Sequence, residues 1–401
     1  MVKSISSALL ISCTMLSIEN GIAQSFHFKS GFEPNTHLIQ YQLNGNPNLN
    51  YADIYGFDTT SAYHWVSDLD DNSSVGNFRI YYEEGDTLKA NARLVPDPLN
   101  PTNTVLRFKL DSANVTSGGN PKGRIQAALN NNTNLSAFRF RVKLFIHPDI
   151  ETLQLYNDSI TWLTLMEFWN NEANASYPFR ITLNIQKPDT AVGSDLFFGA
   201  HGQTRVTTGV WDDLWKEINT SYILPTGEWI TIETLFFEGD STAGRYKVML
   251  TDSASTTTLF DVHNYTHHPS DPSPDGVTSF NPMKLYTSGA LINGMSQANA
   301  ELAVFWDDFE IWLDTNVLSI RSDHPQDLEK TVLFPNPFYD DFTISSDHVV
   351  EKIKVFNSTG EAIRIIDKKQ SMTVSDLQPG FYFVAVQFKN GTSHVLRAVK
   401  L

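Results

Sequence analysis

Apolar and polar residues alternate in short runs along most of the chain, between about Ser25 and Asp314. The alternation is clear in TVLRFKL, AFRFRVKLFI, PFRITLNIQ, EWITIETLFF, RYKVMLT and AVFWDDFEIWL. A period of two places one face of each strand in a core and the other in solvent. Clusters of Gly, Pro, Asn and Asp separate the runs. The pattern therefore predicts an all-β fold, with residues 24–314 forming one large two-sheet sandwich of jelly-roll type.

The alternating pattern stops after this region. The segment DTNVLSIRSDHPQDLEK is polar and has no strong periodicity, so residues 315–330 are predicted to be a linker. Short alternating runs then resume in FTI, IKVFN, IRII, FYFVAVQF and HVLRAVKL, with turn signals between them. Residues 331–401 are therefore predicted to form a separate small C-terminal β-sandwich.

The first residues are typical of a secretory signal. Lys3 precedes an apolar run, and the small residues Gly21 and Ala23 follow it, so residues 1–23 are predicted to be a signal peptide. Acylation of Cys13 as a lipoprotein and an amphipathic start of the first domain are the alternatives. Cys13 is the only cysteine, so the mature protein would contain no disulfide. No later apolar run is long enough to cross a bilayer, so no transmembrane segment is expected.

The excess of acidic over basic residues makes polyanions unfavourable partners. The chain has 45 acidic and 29 basic residues and a formal net charge of -16. Its mean field repels polyanions, so nucleic acid is not expected to be a partner. A local basic groove could still hold an acidic glycan.

The C-terminal region carries several spaced motifs. Pro335-Asn336-Pro337 is followed by IKVFNSTGE with Gly360, and then by DLQPGFYFVAVQFKNGTSHVLRAVKL. This arrangement resembles the C-terminal sorting domain of type IX secretion cargo in the Bacteroidetes. The resemblance implies that the type IX secretion machinery is a partner, and that the protein passes through the periplasm to be secreted or displayed on the outer cell surface. An ordinary accessory β-module is the alternative.

The central region resembles a broader group. FKSGFEPNT near its start, AVFWDDFEIW near its end and GEWITIETLFFEGDSTAGRYKVML between them are similar to concanavalin A-like lectin and glucanase sandwiches. That superfamily contains laminarinase-type hydrolases, alginate-lyase-like and heparin-lyase-like enzymes, and binding modules. The resemblance implies the fold and a polysaccharide partner, and it leaves the reaction open.

The most distinctive stretch is WLTLMEFWNNEANASYPFRITLNIQK, from Trp162 to Lys187. On alternation, Glu167, Trp169 and Asn171 share one strand face with Leu163 and Leu165. The stacking surface of Trp169 and these polar groups suit a sugar chain, because hydroxyls need donors and acceptors and sugar rings stack on aromatic rings. An ordinary solvated face, with Trp169 in the core, is an equally weighted interpretation.

Three further strands present outward polar rows. Arg180, Thr182, Asn184 and Gln186 form the first, and Arg124 and Gln126 in GRIQAAL belong to the second. They predict a locally basic patch suited to uronates or sulfated sugars. The third row comprises Arg139, Arg141 and Lys143, and for it we favour ordinary ion pairing on an exposed sheet face.

Two classes of enzyme with this fold require different sets of catalytic residues. A retaining glucanase of this fold would carry a Glu-x-Asp-x-x-Glu strand, and the chain contains none. A lyase needs groups that neutralise the uronate carboxylate and a His or Tyr that moves a proton. The first set is Arg124, Gln126, Asn171 and Arg180, and the proton-transfer candidates are His201 and Tyr286. The Gln-Ile-His and Tyr-x-Lys-x-Gly patterns of alginate lyases are absent, so a polysaccharide lyase rests on residue types alone.

A structural Ca²⁺ is the one cofactor that the sequence indicates. In the sandwiches that the chain resembles, such an ion often links the first strand to the last, and Glu33 and Asp308 are the candidate ligands here because hard carboxylate oxygens suit it. The alternative is that Asp307 and Asp308 end a strand and accept backbone hydrogen bonds.

The sequence thus predicts an exported carbohydrate-active protein that recognises an acidic polysaccharide and cleaves it by β-elimination, or a non-catalytic glycan-binding or adhesive surface protein. The two differ in one observable. The lyase needs His201 or Tyr286 beside the cluster of Arg124 and Arg180, whereas a binding protein does not.

Overall fold

The computed structural model describes residues 26–401 apart from several short segments. Those segments are residues 34, 43–48, 59–60, 62, 71–76, 84–88, 131–134, 172–174, 208–209, 314–331, 337, 347–348, 358–361, 368–370 and 390–392. The predicted signal peptide with Cys13, the predicted linker, Pro337 and Gly360 therefore lie outside the described residues. The chain divides into two compact units, residues 1–319 and 320–401, and each is described by itself.

Most of the first unit is β-strand, as the alternation predicts. Its strands are β1 (Phe26–Ser30), β2 (Thr36–Gln42), β3 (Leu49–Asp58), β4 (Tyr63–His64), β5 (Asn77–Glu83), β6 (Ala90–Pro96), β7 (Thr104–Leu110), β8 (Val115–Ser117), β9 (Asn120–Asn130), β10 (Ala137–Ile146), β11 (Thr164–Asn170), β12 (Phe179–Gln186), β13 (Phe197–Thr207), β14 (Val210–Ile223), β15 (Trp229–Phe237), β16 (Arg245–Thr251), β17 (Thr256–His263), β18 (Ser279–Ser288) and β19 (Leu302–Leu313).

These strands form two antiparallel sheets. The eight-stranded sheet runs β17-β16-β15-β10-β19-β7-β6, and β1 pairs with the end of β19. The 11-stranded sheet runs β14-β13-β12-β11-β18-β9-β5-β3-β2, with β4 on β3 and β8 on β9. The pairings β10-β19-β7 and β11-β18-β9 join strands that are far apart in sequence, as jelly-roll connections do. The predicted all-β jelly-roll sandwich is confirmed.

The hydrophobic core lies between the two sheets. Phe138 and Phe140 of the eight-stranded sheet are fully buried. Phe138 meets Phe280 of the 11-stranded sheet edge to face, with ring centroids 4.8 Å apart, and Phe168 lies 5.8 Å from Phe140. Alternation in β10 directs these rings inward and its charged residues outward.

The third predicted basic row lies on the outer face of the eight-stranded sheet, and it is ion-paired. Arg139 pairs with Glu233 at 2.8 Å, Arg141 with Glu310, and Lys143 with Asp308 at 2.7 Å. These are cross-strand pairs within one sheet. The preferred interpretation of this row, ordinary strand ion pairing, is confirmed.

Helical segments are few and short in the described part of this unit. They are a π-helix at Trp65–Asp70, a 3₁₀-helix at Pro148–Leu155 and an α-helix, α1, at Gly289–Gln297. Ser288 caps α1 by accepting a hydrogen bond from the Leu291 amide at 3.3 Å. Among the described residues, no helix has the length and apolar character required to cross a membrane.

The second unit is a small sandwich of short strands. They are β20 (Val332–Phe334), β21 (Asp341–Ser345), β22 (Val350–Phe356), β23 (Ala362–Asp367), β24 (Ser371–Thr373), β25 (Gly380–Phe388) and β26 (Ser393–Lys400). The sheets run β20-β21-β24 and β23-β22-β25-β26. Phe338, Phe342, Val355 and Val384 are among the residues of its own buried core.

Three residues of the predicted tail motifs make hydrogen bonds within this unit. Asn336 Oδ1 accepts a hydrogen bond from the Val399 amide at 2.9 Å, so the segment after β20 is tied to the last strand. The Tyr382 hydroxyl donates to the Gln378 carbonyl at 2.7 Å, and Lys400 Nζ donates to the Tyr339 carbonyl. These contacts close the tail into an ordered module.

Candidate functional site

A cavity of about 580 Å³ opens on the outer face of the 11-stranded sheet, on the side away from the core. Its basic lining residues are Lys122, Arg124, Arg180, Arg205, Lys216 and Lys284, and its aromatic lining residues are Trp162, Trp169, Trp211 and Tyr286. Its two acidic lining residues are Glu167 and Asp213, and His201, Thr164, Thr182, Asn184 and Gln203 add polar groups. Six basic side chains against two acidic ones make this a basic site in an acidic protein.

Alternation on β12 builds the floor of the cavity as the sequence predicts. Arg180, Thr182 and Asn184 line the cavity, whereas Phe179 and Ile181 are buried in the core. Three of the four members of the predicted outward row therefore line the cavity, although Thr182 and Asn184 are buried at its base rather than solvated, and the fourth, Gln186, is buried and does not line it.

Alternation fails on the neighbouring strand, β11. The pairing of β11 with β12 changes register between Thr164 and Met166, which marks a β-bulge. As a result Leu165 and Met166 both enter the core, while Thr164 and Glu167 both line the cavity. The predicted face shared by Leu165 and Glu167 is therefore wrong, because one extra residue reverses the alternation.

Strand register sets the width of the site. Arg124, Tyr286, Thr164 and Asn184 are direct neighbours across β9, β18, β11 and β12. His201 on β13 lies opposite Thr182. β13 and β18 are three strand spacings apart, or roughly 14 Å. His201 and Tyr286 thus stand on the two sides of one cavity that also contains Arg124 and Arg180.

Glu167 lies at the centre of the site, and both of its carboxylate oxygens are engaged. Arg180 donates to Oε1 at 3.0 Å, and Lys284 donates to Oε2. Burial would raise the pKa of Glu167, but the charges of Lys284 and Arg180 outweigh it and lower the pKa to about 2. Glu167, which the sequence predicts to bind substrate, lines the cavity, but its side chain is 3% exposed and holds two cations.

Lys284 was not identified from the sequence. Its side chain is 2% exposed, and its Nζ lies 5.1 Å from the ring centroid of Tyr286, which is two residues further along β18. Burial lowers the pKa of Lys284 to about 8, although the charge of Glu167 opposes the shift. The same alternation that directs Tyr286 outward in MKLYT would have identified this lysine.

Tyr286 is surrounded by basic and aromatic groups. Its ring centroid is 4.9 Å from that of Trp162, and Lys122 Nζ and Arg124 Cζ each lie 5.8 Å from it. Within the described part of the chain, no residue hydrogen-bonds its hydroxyl, which leaves this group available to a ligand. We call Lys122, Arg124, Trp162 and Tyr286 the Tyr286 end of the cavity.

The opposite end contains two tryptophans. Trp169 and Trp211 meet edge to face with centroids 5.3 Å apart, and Arg180 Cζ lies 4.2 Å above Trp211 and 5.5 Å from Trp169. Of the two interpretations of Trp169, the structure places its side chain at the cavity rather than in the core, and Arg180 covers part of its ring. We call Trp169, Arg180, Arg205 and Trp211 the Trp211 end.

His201 is held on both ring nitrogens. Its Nδ1 lies 3.1 Å from Asp213 Oδ1, and its Nε2 contacts the Gln186 amide, which also donates to the Thr161 carbonyl at 2.7 Å. With the carboxylate as acceptor, Nδ1 carries the proton and Nε2 accepts from Gln186. Burial lowers the pKa of His201, which favours the neutral ring.

Two predicted substrate-binding residues lie outside the cavity lining. Asn171 follows the end of β11 with φ 65° and donates to Asp271 at 2.7 Å, because the chain turns there. Gln126 lies opposite Lys284 in the β9-β18 pair but does not line the cavity. The placement predicted for these two side chains is therefore corrected, whereas Arg124, Trp169, Arg180, Asn184, His201 and Tyr286 all line it.

A second cluster, away from this cavity, contains the predicted metal ligands. Oxygens of Glu33, Asp307 and Asp308 lie within 4.8 Å of one another, where β1 pairs with β19. Burial and the neighbouring carboxylates raise the pKa of Glu33 to about 7 and that of Asp307 to about 6. Glu33 Oε2 is buried with no hydrogen-bond partner among the described residues. This oxygen-only donor set fits Ca²⁺.

The C-terminal unit matches a known family. Residues 332–399 match the family model described as secretion system C-terminal sorting domain. The resemblance inferred from Pro335, Asn336 and the following motifs is confirmed, and the chain carries a type IX sorting domain, which implies export to the cell surface or secretion. No curated protein matches the chain.

Solved structures are similar to this chain at low sequence identity. An endo-β-1,4-glucuronan lyase from Trichoderma reesei is 12% identical with a TM-score of 0.37, covering 58% of this chain and 90% of its own. The alginate lyase Aly36B is 12% identical with a TM-score of 0.36, covering 72% and 100%. The exoplasmic/lumenal domain of VIP36 in its Ca²⁺/Man2-bound form is 12% identical with a TM-score of 0.32, covering 59% and 84%.

Proposed function

We propose that this exported protein binds an acidic polysaccharide in the cavity of the 11-stranded sheet and cleaves it by β-elimination. The observation that carries the proposal is the grouping of six basic side chains and three tryptophans in one cavity with an available tyrosine hydroxyl, in a protein of net charge -16. Aromatic rings stack on sugar rings, and cations pair with carboxylates, so the lining suits a chain of uronate sugars.

The reaction requires three events at one uronate residue. A base removes the proton from the carbon that bears the carboxylate, a C=C bond forms towards the adjacent carbon, and the bond from that carbon to the glycosidic oxygen breaks. The leaving oxygen gains a proton. Neutralising the carboxylate makes the first proton easier to remove, since negative charge develops there. Arg124 and Lys284 flank Tyr286 and are placed to do this, and Arg180 holds a neighbouring sugar.

Tyr286 is the favoured proton-transfer group: its oxygen, in the ionised form, would take the proton from the carbon and then deliver it to the leaving glycosidic oxygen, so that the proton removed and the proton gained balance. Its hydroxyl faces the cavity beside the carboxylate-binding cations, whereas His201 Nε2 is covered by Gln186. His201 remains the second candidate, since its neutral ring can accept a proton once Gln186 moves aside. Asp213 would then stabilise the charged imidazole.

A non-catalytic glycan-binding protein is the alternative, and the engagement of both nitrogens of His201 favours it. In that case the same cations and rings hold a sugar chain, and no proton is moved. An adhesive surface protein of this kind would use the sorting domain in the same way, to reach the outer surface.

The test is incubation of the chain without its predicted signal peptide with alginate, glucuronan and polygalacturonate, while the ultraviolet absorbance of the unsaturated uronate is followed. The proposal expects an increase that Tyr286→Phe abolishes and His201→Gln reduces less. No increase with any acidic glycan, together with retardation in a gel containing that glycan, would establish the binding protein instead.

We also propose that Glu33, Asp307 and Asp308 hold a structural Ca²⁺ between the first and last strands of the sandwich. The support is the convergence of three carboxylates, one of them with a buried unpartnered oxygen. The ion would neutralise charges that otherwise repel one another.

A further inference from the structure

We infer that Glu167 is a positioning residue that fixes the two ends of the cavity relative to each other, an inference that rests on the proposed function. Its Oε2 accepts from Lys284, which lies beside Tyr286, and its Oε1 accepts from Arg180, which lies against Trp211. One buried carboxylate therefore connects Lys284, the cation nearest the ring of Tyr286, to Arg180 at the Trp211 end.

The geometry leaves Glu167 no direct role with a sugar. Both oxygens are occupied and the side chain is 3% exposed. A carboxylate that faced the ligand would also repel uronates, whereas a carboxylate beneath two cations keeps both of them in place. The three groups together carry one net positive charge, which is matched to one sugar carboxylate.

Glu167 reaches this position because of the β-bulge in β11. Without the register change between Thr164 and Met166, residue 167 would lie on the opposite face of the strand from Thr164. The bulge places Thr164, Glu167 and Trp169 on the cavity side together, so that one strand serves the Tyr286 end, the centre and the Trp211 end. Bulges near functional sites often redirect a side chain in this way.

The ligand that fits this arrangement is an acidic chain longer than one sugar. Tyr286 and Trp211 stand on β18 and β14, four strand spacings or roughly 19 Å apart across the sheet. A sugar chain that touches both ends must bring its cleaved unit to Tyr286 while another unit is held by Arg180. Fixing the distance between Lys284 and Arg180 aligns the two units.

The test compares Glu167→Gln with the wild-type protein on alginate, glucuronan and polygalacturonate. Positioning predicts that kcat falls on the order of 100-fold while KM changes much less, because displacement of the reacting groups has effects of that size. The pH at which activity is lost should also move down, because Lys284 loses the carboxylate that favours its charge. Wild-type kcat with a wild-type pH profile would overturn the inference.

Two further variants keep the test decisive. Glu238→Gln is the matched control. Glu238 is a partly buried carboxylate outside the cavity, and it accepts hydrogen bonds from the Gly276 amide and from Asn170, which lies on β11 with Glu167. It should retain wild-type kinetics. If Glu167→Gln does not fold, Glu167→Asp keeps the charge but is too short to reach both cations, and an intermediate loss of kcat is expected.

Failure of the proposed function is separable from failure of this inference. If the wild-type protein cleaves none of the three glycans, the β-elimination proposal fails, and melting temperatures then decide the role of Glu167. The melting temperature of the double variant should be lowered by less than the sum of the decreases in Glu167→Gln and Lys284→Met, because either single change already breaks the ion pair between the two residues. Additive losses would overturn the inference.

Discussion

The guanidinium carbon of Arg180 lies 4.2 Å from the ring centroid of Trp211, on a strand that is two positions away in the sheet. The Arg180 guanidinium also donates two hydrogen bonds, from Nη1 to Glu167 at 3.0 Å and from Nε to Gln203 at 2.9 Å. Its Nη2 makes no hydrogen bond to any residue that the structure describes, and it is the group left for an acidic sugar.

Trp211→Leu should therefore weaken binding of an acidic oligosaccharide by about 1 kcal/mol, or about fivefold, because the stacking interaction that orients Arg180 is lost. Isothermal titration calorimetry at low salt would measure this. Trp312→Leu is the matched control, since Trp312 also packs against arginines, with Arg139 Cζ at 4.9 Å, but on the outer face of the other sheet. Equal losses in both variants would contradict the assignment of Trp211 to the site.

Asn336→Ala should loosen the last strand of the sorting domain. The Asn336 side chain accepts the Val399 amide, and loss of one such bond costs about 1 kcal/mol, or about a fivefold increase in local opening. Hydrogen–deuterium exchange of residues 393–401 in the whole protein would detect it. Ile365→Ala, which alters an exposed apolar side chain of the same unit, should leave this exchange unchanged. Unchanged exchange in both variants would show that the hydrogen bond between Asn336 and Val399 does not hold the last strand in place.

The sequence was sufficient for the parts of the fold that follow strict alternation. β12 places Phe179 and Ile181 inward and Arg180 and Thr182 towards the cavity, as a period of two requires. On β11 the same rule fails at Leu165, because a bulge depends on pairing with a neighbouring strand rather than on the local pattern.

In the candidate site, too, the sequence predicted some features and not those that depend on strand pairing. Tyr286, His201, Arg124 and Arg180 were brought to one cavity from strands that are far apart in the chain, and residue type alone selected them. The sequence selected Glu167 by its strand and residue type but did not reveal its two ion pairs, because their partners lie on β12 and β18. Cross-strand contacts of this kind depend on register, which the sequence does not state.

Calcium should raise the melting temperature of the protein, and a chelator should lower it. An ion that binds the folded state alone stabilises it by about 2.7 kcal/mol at a concentration 100 times its dissociation constant. Differential scanning fluorimetry with Ca²⁺, Mg²⁺ or chelator would show this. Glu33→Gln should abolish the difference, because it removes a ligand from the cluster with Asp307 and Asp308. The same response to Ca²⁺ in Glu33→Gln and wild-type protein would place the ion elsewhere.

Affinity for an acidic oligosaccharide should fall as the pH rises through about 8. Lys284 has a pKa lowered to about 8 by burial, so it is charged below this pH and neutral above it, whereas sugar carboxylates stay ionised throughout. A bound anion favours the charged lysine, so the fall in affinity extends above pH 8 once ligand is present. Titration calorimetry between about pH 6 and pH 10 would measure the dependence.

Two variants test whether Lys284 is the source of this pH dependence. Lys284→Arg keeps the charge at every pH in this range, so its affinity should not change near pH 8. Lys284→Met should bind weakly at low pH and show no further loss as the pH rises. If Lys284→Met retains the wild-type pH dependence, another group is responsible, and Lys122 at the Tyr286 end, 5.8 Å from the ring of Tyr286, is the next residue to replace.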